Sequence, residues 1–113
     1  MPATTNYKKG DQLPEYTAQL IQGQGLDAEP INLTGTTVKL HMTNRSTGAV
    51  KVNSDATIDA PATDGKVRYV WGATDLDTPG NYDVEWEITF SGDRKMTVPS
   101  KDFDMIVVRE DGD

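Results

Sequence analysis

From Asn81 to Val98 the chain alternates in type. Tyr82, Val84, Trp86, Ile88 and Phe90 are separated by Asp83, Glu85, Glu87 and Thr89; a turn follows at Ser91-Gly92-Asp93-Arg94, and Met96 and Val98 then alternate with Lys95 and Thr97. Successive side chains of a strand point to opposite faces, so the pattern specifies a β-hairpin with one apolar and one charged face. A half-buried antiparallel sheet follows from it. The search for function accordingly moves from the cleft of an α/β enzyme to a small module that presents surfaces.

Similar signals recur at short intervals along the rest of the chain. Tyr16, Ala18 and Leu20 alternate with Thr17 and Gln19 after Pro14, which is tolerated at a strand start better than inside a sheet. Val38, Leu40 and Met42 alternate with Thr37, Lys39 and His41 and close at Asn44-Arg45-Ser46-Thr47-Gly48. Val50 and Val52 form a short return strand, Ala56 and Ile58 another, and Asp64-Gly65 suits a tight turn. Val67, Tyr69 and Trp71 precede the hairpin; Phe103, Met105 and Val107 form the last strand. Seven or eight short strands without 3.6-residue periodicity predict an all-β, antiparallel β-sandwich, with a closed barrel as the other arrangement the pattern allows. Trp71 and Trp86 are expected between the two sheets rather than on an exposed stacking platform. Tyr82, at a strand start after Asp77-Thr78-Pro79-Gly80-Asn81, occupies the place of a tyrosine corner in immunoglobulin-like sandwiches, with a spacing one residue off the Asp-x-Gly-x-Tyr pattern.

Length and charge narrow the function. A chain of 113 residues forms one domain large enough to fold without a staple, and it has no cysteine. Its net charge of −7 opposes binding to nucleic acid. Met1-Pro2-Ala3-Thr4-Thr5-Asn6 lacks the apolar core of a secretory signal, and no run of about 18 apolar residues occurs, so neither an export signal nor a membrane anchor is expected.

No catalytic constellation emerges. His41 is the only histidine, its alternation with Leu40 and Met42 places it on the solvent face, and no spacing of Ser46, Ser54, Ser91 or Ser100 suggests a nucleophile elbow. Glu85 and Glu87 share a side of one strand as residues of a wet face do, so no glycosidase pair is expected. Asp75-Leu76-Asp77-Thr78-Pro79-Gly80 resembles the start of a calcium loop, but Pro79 stands at the third ligand position and Trp86 where the closing glutamate would be. A plain turn is expected there, and Gly23-Gln24-Gly25 lacks the helix of a phosphate loop. The chain is predicted to be no enzyme and to use no cofactor or metal.

Several fragments, in order, resemble one family. Gly10-Asp11-Gln12-Leu13-Pro14, Ile31-Asn32-Leu33-Thr34-Gly35-Thr36-Thr37-Val38, His41-Met42 and Thr47-Gly48-Ala49-Val50 look like the start of the domain named for the phage baseplate upper protein. Gly65-Lys66-Val67-Arg68-Tyr69-Val70-Trp71, Pro79-Gly80-Asn81-Tyr82, the Trp86 strand and Ser91-Gly92-Asp93 continue the resemblance, which covers roughly Gly10 to Val108. It implies an immunoglobulin-like β-sandwich and a structural role in the virion of a tailed phage, in tail or baseplate. The alternatives are a capsid decoration or head-fibre protein, or a carbohydrate- or cell-wall-binding adhesive module. In larger relatives such a domain docks onto the particle ahead of receptor-binding parts; with the chain ending at Asp113, a stand-alone sandwich is expected.

The expected organisation is a flexible N-terminal arm over residues 1–9, one sandwich over 10–108 and a solvated acidic tail over 109–113. The arm carries Lys8 and Lys9, the only adjacent lysine pair, and is predicted to order on a neighbouring subunit through Asn6, Tyr7, Lys8 and Lys9, with Tyr7 as anchor. Other virion proteins are the expected partners, with possible assembly of like copies on the particle and no nucleic acid or membrane. Synthesis in the host cytoplasm precedes incorporation. A sugar-binding alternative would depend on Tyr7 or Tyr16, because Tyr69, Trp71, Tyr82, Trp86 and Phe90 all share the apolar phase of their strands.

Overall fold

The computed structural model describes residues 4–23, 28–98 and 104–110. Eleven strand segments follow one another among them: β1 (Thr4–Lys8), β2 (Tyr16–Gln19), β3 (Ile21–Gln22), β4 (Glu29–Pro30), β5 (Thr37–Asn44), β6 (Val50–Asp55), β7 (Thr57–Ile58), β8 (Lys66–Tyr69), β9 (Gly80–Phe90), β10 (Arg94–Val98) and β11 (Asp104–Arg109). They build an all-β sandwich, and the excess over seven or eight comes from β1 and the two-residue pieces β3 and β4. The larger sheet has the order β1-β11-β9-β5-β6, with β10 also on β9; the smaller is β2-β8-β7, and β3 pairs with β4.

β9 is the spine because its alternation is unbroken. Tyr82, Val84, Trp86 and Ile88 are buried, while Asp83, Glu85 and Glu87 sit on the outer face. β5 pairs with it from Thr37↔Thr89 to Asn44↔Tyr82, setting Val38, Leu40 and Met42 beside the inward row. The opposite edge of β9 is shared: β10 takes Trp86 to Phe90 and β11 takes Gly80 to Val84. From the smaller sheet Tyr16, Val67 and Tyr69 face this row, and Trp71, just beyond β8, is buried with them.

Three local features depart from the expected pattern. In β11 the inward residues are Ile106 and Val108, whereas Met105 and Val107 lie half-buried on the other face; Phe103 falls outside the described residues. Met105 to Val108 is apolar in both phases, so alternation carried no phase there, and pairing of Ile106 with Tyr82 sets it instead. In β6 the register shifts between Met42↔Val52 and Thr43↔Val50, leaving Lys51 as a bulge residue. Val50 is thereby turned outward and is 62% exposed. The expected strand through Trp71 ends at Tyr69.

The turn at Asp64-Gly65 extends the ladder between β2 and β8. A 3-10 turn over Ala62–Asp64 ends at Gly65 with φ 69°, and the Gly65 carbonyl accepts the Leu20 N–H at 2.7 Å. A Cβ at Gly65 would lie 2.6 Å from the Leu20 carbonyl oxygen and 3.1 Å from that of Ile31, all backbone atoms that cannot swing aside. Gly65→Ala is expected to cost about 2–4 kcal/mol, from left-handed strain plus displaced backbone. Gly35→Ala, at φ +75° with open space around it, should cost only about 1 kcal/mol. Urea unfolding of the two variants checks the difference; equal losses would contradict the close approach.

Candidate docking surface

The segment expected to be an arm is a strand of the larger sheet. Thr4-Thr5-Asn6-Tyr7-Lys8 alternates, with Thr5 and Tyr7 turned inward and Asn6 and Lys8 outward. β1 pairs in parallel with β11 from Thr4↔Met105 to Lys8↔Arg109, and the Lys9 N–H extends the ladder to the Arg109 carbonyl at 2.7 Å. Asp11 then closes a turn, its carboxylate accepting the Lys8 N–H at 2.9 Å. Tyr7 is turned into its own domain. It is buried, meets the Trp71 ring edge-on at 5.3 Å and donates its hydroxyl to the Pro14 carbonyl at 3.0 Å. The free arm is thus corrected for residues 4–8; residues 1–3 lie outside the described part. An inward aromatic desolvates a large ring within its own fold, and that wins over any exposed use.

Of the four candidate residues, Asn6, Lys8 and Lys9 remain at the surface. The structure adds Arg109, read from sequence as part of a solvated tail but here the last residue of β11 and the cross-strand partner of Lys8. Lys8, Lys9 and Arg109 form a basic group at the end of the β1 edge, with the Lys9 ammonium 4.0 Å from Glu110. The missed signal was parallel pairing, which joins residues a hundred positions apart.

Elsewhere several charges are paired. Arg68 on the outer face of the smaller sheet holds Asp59 at 2.8 Å and Glu15 at 3.4 Å, which raises its pKa further, chiefly through the Asp59 hydrogen bond. On the outer face of the larger sheet Arg45 pairs with Asp83, and Glu87 lies 3.8 Å from His41 and 3.9 Å from Lys95. The strand neighbours opposite His41 are Asn53 and Glu85. In the acidic loop, Asp75 accepts the Tyr69 hydroxyl at 2.7 Å and the Gly72 N–H at 2.8 Å, while Asp77 takes Lys51 and Thr78. The Lys51 hydrogen bond, foremost, holds Asp77 below the usual carboxylate range. Asp75 thus shapes the turn, and Asp77 ties it to β6.

The tyrosine and tryptophan rings are inside. Tyr16 is buried and stacks on Trp86 at 5.7 Å with planes 4° apart. All four tyrosines and both tryptophans are buried. What the surface offers is strand edges and charge.

Residues 18–111 match the BppU N-terminal domain. The chain belongs to this family. BppU N-terminal domains are baseplate-associated structural domains of phages, and the match runs from within β2 through β11, leaving β1 ahead of it. A search of curated proteins finds no match. For a BppU N-terminal domain the informative region is therefore β1, which completes the larger sheet from outside the matched stretch.

Two outcomes test how β1 is held. Tyr7→Ala should destabilise the domain by about 3–5 kcal/mol and Tyr7→Phe by about 1 kcal/mol, read by denaturant unfolding; a Tyr7→Ala variant as stable as its parent would restore the loose arm. Burial also raises the pKa values of Tyr7, Tyr16 and Tyr69, the last from 10.0 to about 12. Above pH 10 the unfolded chain releases phenolic protons that the fold retains, so stability must fall as pH rises, the Tyr69 contribution being lost between pH 10 and about 12. Thermal melts across that range check the sign; a stability that rises there would contradict it.

Proposed function

We propose that this chain is a non-catalytic, immunoglobulin-like module of the phage tail or baseplate that docks onto other virion proteins through the β1 edge. The observation that carries this reading is the lock on β1. A strand outside the matched stretch is fixed by Tyr7 and so presents a preformed edge, with Asn6 outward and Lys8, Lys9 and Arg109 at its end. Partnering by an edge needs no cleft and loses little entropy when the edge is already ordered. The basic end on a domain of net charge −7 favours an acidic surface opposite it.

Two features support the immunoglobulin-like description. The Tyr82 hydroxyl donates to the Thr78 carbonyl at 2.7 Å across the corner that opens β9, as a tyrosine corner does. The smaller sheet is built of β2, β8 and β7, and the larger joins the first and last strands in parallel. Like copies could share the particle under its symmetry.

Lys8→Glu combined with Lys9→Glu tests the docking edge. The double variant should keep its thermal midpoint, because both side chains are exposed, and should enter assembled particles about tenfold less than its parent, a loss of ~1.4 kcal/mol in docking. Quantitative immunoblots of purified particles read this. Parental incorporation would contradict docking through that end.

A further inference from the structure

β6 lies at the far end of the larger sheet from β1, and the turn that leads into it is tightly braced. The Asn44 side-chain oxygen accepts the N–H groups of Ser46 and Thr47 at 2.9 and 3.1 Å, and the Thr47 hydroxyl oxygen accepts that of Ala49 at 3.1 Å. The Arg45 N–H ties the turn to β9 through the Asn81 carbonyl at 2.9 Å. Between this turn and the Tyr82 corner is a cavity of about 270 Å³, walled by Asn44, Thr47, Ala49 and Val50 on one side and by Lys51, Thr78 and Tyr82 on the other. A space of about 150 Å³ accepts a benzene ring, so this one has room for a six-membered ring with its substituents. Val50, turned outward by the bulge, sets a 62% exposed apolar side chain at the rim. The polar groups of the wall have unused bonding capacity. Asn44 commits its side-chain oxygen to the turn, while its side-chain N–H groups and the Thr47 hydroxyl proton have no partner among the described residues. Lys51 gives one ammonium proton to Asp77, and Thr78 gives its hydroxyl proton to the same carboxylate while keeping its lone pairs.

We propose that this corner cavity binds one pyranose ring of a neutral saccharide, with a C–H face of the ring on Val50 and its hydroxyl groups on the Asn44 amide, Thr47, Lys51 and Thr78. This site goes beyond the docking role given above and does not rest on it. Neutrality of the ligand follows from charge. Lys51 is the one cation in the wall and Asp77 already holds it, so no net positive charge is left to draw an anion. The polyhydroxyl character follows from the mixture of groups: amide and ammonium donors and hydroxyls that both donate and accept converge on one small space, and alcohol groups answer all of them. A sugar ring also carries C–H groups on its faces and O–H groups around its rim, which matches an apolar side chain standing beside a polar wall. The turn is fixed before the ligand arrives, so little ordering opposes binding. A single ring makes a weak contact, in the millimolar range.

Titration of the isotope-labelled full chain with methyl glucoside, methyl galactoside, methyl rhamnoside and N-acetylglucosamine, followed by NMR, tests the site. At least one of these sugars should shift the Asn44 side-chain amide and the backbone amides of Ala49 and Val50 in a saturable way. Val50→Ser removes the apolar rim at an exposed position, and Asn44→Asp keeps an oxygen to cap the turn while removing the N–H donors. Each should weaken binding about tenfold with an unchanged thermal midpoint. No saturable shift at these groups with any of the sugars would overturn the proposal, as would shifts that persist at parental affinity in both variants. If Asn44→Asp fails to fold, Val50→Ser decides. Inorganic phosphate is the contrasting probe: a tighter response to it than to every sugar would overturn the assignment of a neutral ligand.

Discussion

The stack of Tyr16 on Trp86 joins the two sheets, and most of the remaining structure is arranged around it. Tyr16 belongs to the smaller sheet and Trp86 to the spine of the larger, so their contact spans the sandwich where a layer of aliphatic side chains would otherwise have to meet. Trp71 extends the cluster, with Tyr16 at 6.1 Å, Tyr69 edge-on at 5.1 Å and Tyr7 on its remaining side. Such pairs add about 0.5–1.5 kcal/mol each beyond the area they bury. Through Tyr7 the cluster also fixes the first strand.

That economy of rings shapes what the surface can do. With the tyrosines and tryptophans committed to the interior, the exterior consists of strand edges, short-range ion pairs and a few isolated apolar side chains such as Val50. Exposed ion pairs of this kind contribute little to stability, and their arrangement bears on which partners are accepted. A rigid body with shaped edges and an acidic surface suits a structural domain of the baseplate, as membership of the BppU N-terminal domain family implies.

The sequence was most legible where alternation is strict and both phases differ in polarity. β9 could be read residue by residue, as could the inward placement of Trp86 and the corner at Tyr82, because charged or polar residues occupy every outward position between apolar ones. β11 lost its phase for the opposite reason, having apolar residues on both sides. β1 was opaque in another way. Four of its five residues are polar, and what makes it a strand is pairing with residues near the other end of the chain, which no local pattern encodes. The same distance hid Arg109 from the candidate site. Bulges such as that at Lys51 escape period-2 reading by construction, since they shift the register on which it relies.

The most direct test of the account is a cryo-electron reconstruction of particles that carry this protein, with the sandwich fitted into density at side-chain detail. The account predicts density on the tail or baseplate, with β1 in place on β11 and its outer edge against a neighbouring protein. Density on the capsid lattice, or a domain absent from the particle, would contradict it.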